Sequence, residues 1–159
     1  MSEIPPSLLG FTTYLLSRTG RTARSRLAAR LAERDMKPWH MAVLSALADF
    51  GPHAQRELAS RLGIDRSDMV KIVDDLAIAG LVERARDTAD RRRVTVTSSP
   101  AGRTVLADLQ AEALGVQREL LAPLSTAEQA QLAALLRRVH AHVHVHEEGQ
   151  GPGPSASSG

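Results

Sequence analysis

Five arginines, Arg84, Arg86, Arg91, Arg92 and Arg93, fall within ten residues alongside Asp87 and Asp90. Guanidinium is planar, permanently charged and weakly hydrated, so a cluster of this kind suits phosphate oxygens and a negatively charged groove. A second constellation is His140, His142, His144 and His146, at alternate positions near the end of the sequence. On a helix, His140/His144 and His142/His146 are i, i+4 pairs, a spacing able to chelate zinc or nickel. The alternative is a helix end where an occasional imidazolium suits the C-terminal dipole. That alternative is preferred, and no metal is assigned. Other chemistry finds no residues: there is no Gly-rich phosphate loop, no Gly-x-Ser-x-Gly elbow and no His-Glu-x-x-His. Neither catalytic residues nor a cofactor are expected, and the chain does not read as an enzyme.

The composition narrows the frame that must carry the arginines. Apolar residues make up 43% of the 159, but aromatics only 3%, so Leu and Ala must fill a largely helical interior. The absence of cysteine removes disulfides, thiolate metal sites and sensing by thiol oxidation. Charge is uneven: Arg18 to Lys37 holds seven basic residues against Glu33 and Asp35. Of twenty basic residues only Lys37 and Lys71 are lysine, a skew that fits either nucleic-acid contact or GC-rich codon usage. With no secretory signal and no apolar run of membrane-spanning length, a soluble, cytoplasmic protein with no membrane partner is expected.

Pro5 and Pro6 close a short lead, and a long helix is expected from Leu8 to about Arg34, weakened in its middle by Gly20. Its apolar residues exceed what one neighbour needs, which suggests a partner subunit. Pro38 suits the first position of a second helix, with Trp39, Val43, Leu44, Leu47 and Phe50 on its buried side, ended by Gly51-Pro52. A third helix is expected over Gln55–Leu62. A fourth follows over Arg66–Ala79, with Asp65 as N-cap, Asp68 in the capping-box position and Val70, Val73, Leu76 and Ala77 as the inward stripe. Gly80 stops that helix. Strands are expected at Leu81–Arg84 and, alternating Val and Thr, at Val94–Thr97. Ser99-Pro100 starts a fifth helix running to about Ala122. Ser125 or Thr126 with Glu128 caps a sixth, and the Gly/Pro/Ser-rich tail from Gly149 is expected to be disordered.

Helix, Gly turn, capped helix, Gly stop, strand, Arg-rich tip and strand form the order of a winged helix-turn-helix. The residues that carry a family likeness are Arg56-Glu57-Leu58-Ala59-Ser60-Arg61-Leu62-Gly63-Ile64, Val73-Asp74-Asp75-Leu76, Gly80-Leu81-Val82-Glu83-Arg84, Asp87-Thr88-Ala89-Asp90-Arg91-Arg92 and Pro100-Ala101-Gly102-Arg103. On these motifs the chain resembles the MarR family of bacterial transcriptional regulators, the wing sequence Asp-x-x-Asp-Arg-Arg being the most specific part.

The resemblance implies a mainly α fold with a small β-hairpin wing. It places an N-terminal dimerisation helix at 1–34, the winged helix-turn-helix at 35–99, C-terminal dimerisation helices at 100–148 and a tail at 149–159. It also implies a homodimeric repressor on a palindromic double-stranded DNA operator, with the Arg66–Ala79 helix in the major groove and the wing in the minor groove. By match to the wing motif, Arg92 enters the minor groove and Asp90 orients it through a carboxylate–guanidinium pair. Arg91 and Arg93 would meet phosphates, with Arg86 beside them. Arg66, Ser67 and Lys71 lie where base edges would be; Asp68 does too, although helix capping explains it better. Arg56 would favour a phosphate.

Family resemblance further implies a cleft for a small aromatic or phenolic effector near Tyr14, Met36, Trp39 and His40, His40 being the better ligand candidate. Three positions depart from the pattern. Asp75 stands where a basic residue is common, which would add repulsion near DNA. Ala54 stands where a Ser or Thr caps the third helix, and Ser98 replaces an apolar residue. The alternative to a DNA-binding regulator is a metal- or ligand-binding dimer whose winged module serves protein contacts.

Overall fold

The computed structural model describes residues 4–148. The chain divides into two compact units, Met1–Gln117 and Arg118–Gly159. The first holds α1 (Pro6–Leu9), α2 (Thr12–Ala32), α3 (Pro38–Phe50), β1 (His53–Ala54), α4 (Gln55–Leu62), α5 (Arg66–Ile78), β2 (Val82–Arg86) and β3 (Val94–Ser98). α6 (Pro100–Leu120) begins in the first unit and ends in the second, which also holds α7 (Thr126–Glu148). None of the helices described is long and apolar enough to cross a membrane. The tail expected to be disordered, from Gly149, lies outside the described residues.

Most elements begin and end where local chemistry predicts. Gly80, at φ 73°, takes the left-handed conformation that stops α5, with Leu81 N–H donating to the Leu76 carbonyl at 2.9 Å. α2 closes the same way, with Asp35 at φ 55° in the position Gly usually takes and Met36 N–H donating to Leu31 O at 3.0 Å. α7 carries a complete capping box, in which Ser125 N–H donates to Glu128 Oε2 at 2.7 Å and Glu128 N–H to Ser125 Oγ at 3.2 Å.

The expected first helix is two. α1 is a single turn, the chain breaks at Gly10-Phe11, and α2 then runs unbroken through Gly20. Pro6 therefore starts a helix rather than closing a lead. The core gathers Leu31 from α2, Val43, Leu44 and Leu47 from α3, Leu58 from α4, Met69, Val73 and Leu76 from α5, Val82 and Val96 from the wing, and Leu106 and Leu109 from α6. α2 and the turn after it are further tied to α6 by charge: Arg34 meets Glu112 at 3.0 Å and Asp108 at 3.5 Å, and Arg30 meets Glu112 at 3.5 Å.

Two aromatics expected inside are outside. Trp39 is 50% exposed and Phe50 56%, the latter with the Arg61 guanidinium 4.3 Å above its ring. The buried stripe of α5 is Met69, Ile72, Val73 and Leu76, an i, i+3, i+4, i+7 pattern. Val70 lies off that stripe.

The sheet has three antiparallel strands in the order β1-β3-β2, so the wing hairpin gains an unforeseen edge strand. His53 pairs with Val96 and Ala54 with Thr95, while Arg84 faces Val96 and Arg86 faces Val94 on the other side of β3. At the base of the wing, Gly102 packs so closely that a Cβ there would lie 2.0 Å from the Leu81 carbonyl oxygen. Ser99 completes the joint. Its amide donates to Leu81 O at 3.0 Å, its hydroxyl donates to Gly80 O at 2.6 Å, and Gly102 N–H donates to that hydroxyl at 3.0 Å. Ser98, in the place of an apolar residue, is half-buried and offers its carbonyl to Arg103 at 3.3 Å.

Candidate nucleic-acid interface

α4 and α5 are joined by the tight turn Gly63-Ile64-Asp65, and Asp65 sets how α5 begins. Its Oδ1 accepts from the Ser67 amide at 2.8 Å and from the Ser67 hydroxyl at 2.5 Å. These bonds, the hydroxyl's first, hold the Asp65 carboxyl below its ordinary range. Ser67 thus spends its proton on the cap and keeps only lone pairs for an outside donor. Asp68 does not complete a capping box; it pairs with Lys71 at 3.6 Å on the open surface, where its charge also suits the helix N-terminus.

One face of α5 is open. Arg66, Ser67, Val70 and Lys71 are all exposed on it. Val70, 42% exposed, was expected to be core and is instead the apolar member of this face. Beside it lies a concavity of about 210 Å³ lined by Arg56 and Ala59 of α4, Arg66, Met69 and Val70 of α5, and Arg92, Arg93 and Val94 of the wing. Gln55 also lines it, and its buried side-chain oxygen has no partner among the described residues. Four arginines from three separate elements thus converge on one hollow between helix and wing. Gln55 and Val70 are the residues missed by sequence reasoning. The open-face position of Val70, one turn beyond Arg66, was the only signal for it.

The wing tip is built differently from the expectation. Asp90 Oδ1 accepts from the backbone amide of Arg92 at 3.0 Å, and its carbonyl accepts from Arg93 N–H at 2.9 Å. Asp87 does the same for Ala89 N–H at 2.8 Å, and Asp87 N–H donates to Arg93 O at 2.9 Å. These are Asx turns, in which a carboxylate shapes main chain. Asp90 therefore presents Arg92 through the backbone, not through a carboxylate–guanidinium pair. The guanidinium of Arg93, expected to meet phosphate, meets Glu57 at 3.4 Å. Glu57 also accepts the Ala54 amide at 3.3 Å, supplying half of the cap that Ala54 cannot make. Arg91, Arg92 and Arg86 remain exposed.

The acidic pair of α5 is structural. Asp74 is bonded to the Arg84 guanidinium of β2. Asp75 points the other way, its Oδ2 3.2 Å from His40 Nε2. His40 is only 4% exposed, and its Nδ1 accepts the Lys37 amide at 3.0 Å. Nδ1 is therefore unprotonated and Nε2 carries the hydrogen given to Asp75. Asp75, expected to add repulsion near DNA, is thus engaged by His40 of α3.

Trp39 and His40 share a cleft of about 320 Å³ with Lys37, Ile64, Lys71, Ile72 and Asp75. Tyr14 and Met36 do not line it. Met36 packs on the core, and Tyr14 is a half-buried residue of α2.

A capped helix and an arginine-tipped β-wing flanking one basic hollow define the winged helix-turn-helix class. The model of the MarR family matches residues 34–93. A protein assigned to regulation of the hcr operon in Thauera aromatica is 31% identical over 125 residues, 77% of this chain and 75% of that protein. The PcaV transcriptional regulator of Streptomyces coelicolor is 28% identical, with a TM-score of 0.68 over 84% of this chain and 98% of its own. Wild-type MarR of E. coli, 24% identical, shares the fold with a TM-score of 0.73 over 87% of this chain and 98% of its own. The chain belongs to the MarR family of winged-helix transcriptional regulators.

Proposed function

We propose that the protein is a homodimeric, sequence-specific double-stranded DNA-binding repressor, released from its operator by a small aromatic or phenolic ligand. The observation that carries the DNA reading is the hollow in which Arg56, Arg66, Arg92 and Arg93 converge beside the open face of α5. α5 enters the major groove N-terminus first. Arg66 and Lys71 meet phosphates or guanine edges, Ser67 offers lone pairs to a base amine, and Val70 suits a thymine methyl. Arg92, with Arg91 and Arg86 behind it, enters the minor groove, whose negative potential is strongest where it is narrow.

The dimer reading rests on apolar surface that the chain leaves open: Leu9, Phe11, Leu15 and Leu16 at the N-terminus, and separately Leu135, Leu136, Val139 and Val143 on α7. Residues 1–34 and 100–148 would then be the assembly elements, and 35–99 the reading head. For the effector, the cleft at Trp39 and His40 offers an aromatic wall and a buried donor beside Lys37. PcaV has been solved in complex with its natural ligand. A ligand that displaced Asp75 from His40 would loosen α5 and lower DNA affinity.

Selection of bound fragments from a random DNA pool tests this reading. Two half-sites about 10 base pairs apart, centre to centre, are expected for a two-fold dimer. Affinity should also fall steeply with salt as phosphate contacts release counterions. Enrichment of no sequence, or retention insensitive to salt, overturns it.

A further inference from the structure

The histidines of α7 play no part in DNA reading, yet α7 places two of them together. His140 and His144 are one turn apart and both exposed, with ring centroids 4.2 Å apart at an interplanar angle of 64°. We propose that this pair is a divalent transition-metal site that takes Cu²⁺ ahead of Ni²⁺ and Zn²⁺. Two imidazole nitrogens that share one cation at about 2.0 Å each lie roughly 3 Å apart, a separation this ring spacing reaches by small side-chain rotations. The Ser125–Glu128 capping box begins the helix, and the chain stays helical through Glu148, so the two ligands stand one turn apart on a single helix.

Among the described residues no third His, Cys, Asp or Glu joins the pair. Oxygen ligands then complete the coordination. Two nitrogens and exchangeable oxygens suit the tetragonal preference of Cu²⁺, and the general affinity order places copper first. Of the second pair seen in the sequence, His142 lies on another face of α7, and the side chain of His146 is outside the described residues. The site is distinct from the basic hollow and does not depend on the DNA reading.

Titration of the untagged full chain with Cu²⁺, followed by calorimetry and electron paramagnetic resonance, tests the proposal. One tightly bound Cu²⁺ per chain is expected, with hyperfine structure from two equatorial nitrogens. His140→Ala and His144→Ala should each weaken binding about a hundredfold, because the second ligand's attachment is intramolecular. His142→Ala should leave stoichiometry and spectrum unchanged. Alanine in an exposed helical position favours the helix, so loss of binding would not reflect unfolding. Copper uptake unaffected by the His140 and His144 changes, or equally weakened by His142→Ala, overturns the assignment.

Discussion

Helix α5 and the wing both carry charges of each sign and use them in opposite ways. On α5 every acidic residue has a partner: Asp65 holds Ser67, Asp68 meets Lys71, Asp74 holds Arg84 and Asp75 holds His40. Two of those bonds stay within the helix's own first turns and two run to the wing and to α3, so α5 is braced against two neighbours. In the wing the carboxylates of Asp87 and Asp90 are spent on backbone amides, which leaves Arg91 and Arg92 exposed. The acids of one element tie it to its neighbours; those of the other shape its own backbone and leave the arginines at its tip open. On the proposed DNA reading, a braced helix beside an electrostatically open arm would separate base recognition from phosphate attraction.

The severest test breaks the joint both regions share. Gly102→Ala puts a methyl 2.0 Å from the Leu81 oxygen and should cost about 3 kcal/mol or more, read as a drop in denaturant midpoint. A variant of unchanged stability would show that the joint has slack. Next, Arg92→Ala should weaken operator binding by about 1–3 kcal/mol and flatten the salt slope by about one, while stability holds. Arg93→Ala, already paired with Glu57, should do distinctly less. Equal losses would erase the distinction between free and braced arginines.

His40→Ala sharpens the comparison from the other side. It removes a buried group bonded to Lys37 N–H and Asp75, so stability should fall by about 1–2 kcal/mol. DNA affinity, measured where the variant is fully folded, should fall less than for Arg92→Ala. The smallest effect is with acid. The Asp65 carboxyl titrates below its unfolded value near 3.8, so its cap contributes fully above that value and is lost as pH falls through the folded one. In thermal melts the wild type should converge on Asp65→Ala only below about pH 4. A constant gap at all pH values would remove the cap from the account.

Much of this fold was legible because its punctuation is local. Gly80, Pro38, Ser99-Pro100 and Ser125 with Glu128 act within four residues of themselves, and each stands where expected. What escaped was set by distance. Asp75 finds its partner 35 residues away in sequence, and no pattern within α5 announces His40. β1 is two residues long and exists only because β3 offers it an edge; a strand that short has no period to read. Trp39 and Phe50 lie on apolar runs yet face outward, since a run of apolar residues does not say which of its members fill the core. The candidate site shows the same split. Arg92 and Arg66 were legible as residue types, whereas the roles of Asp90 and Arg93 depended on whether a carboxylate chose main chain or guanidinium.

The Gly102 joint also has a mechanical meaning. With no room for a methyl between α6 and the Leu81 carbonyl, and with Ser99 bonded to Leu81 and Gly80, the wing is geared to the start of α6. Contact and hydrogen bonds at that point tie the base of the hairpin that carries Arg91 and Arg92 directly to the first turn of α6.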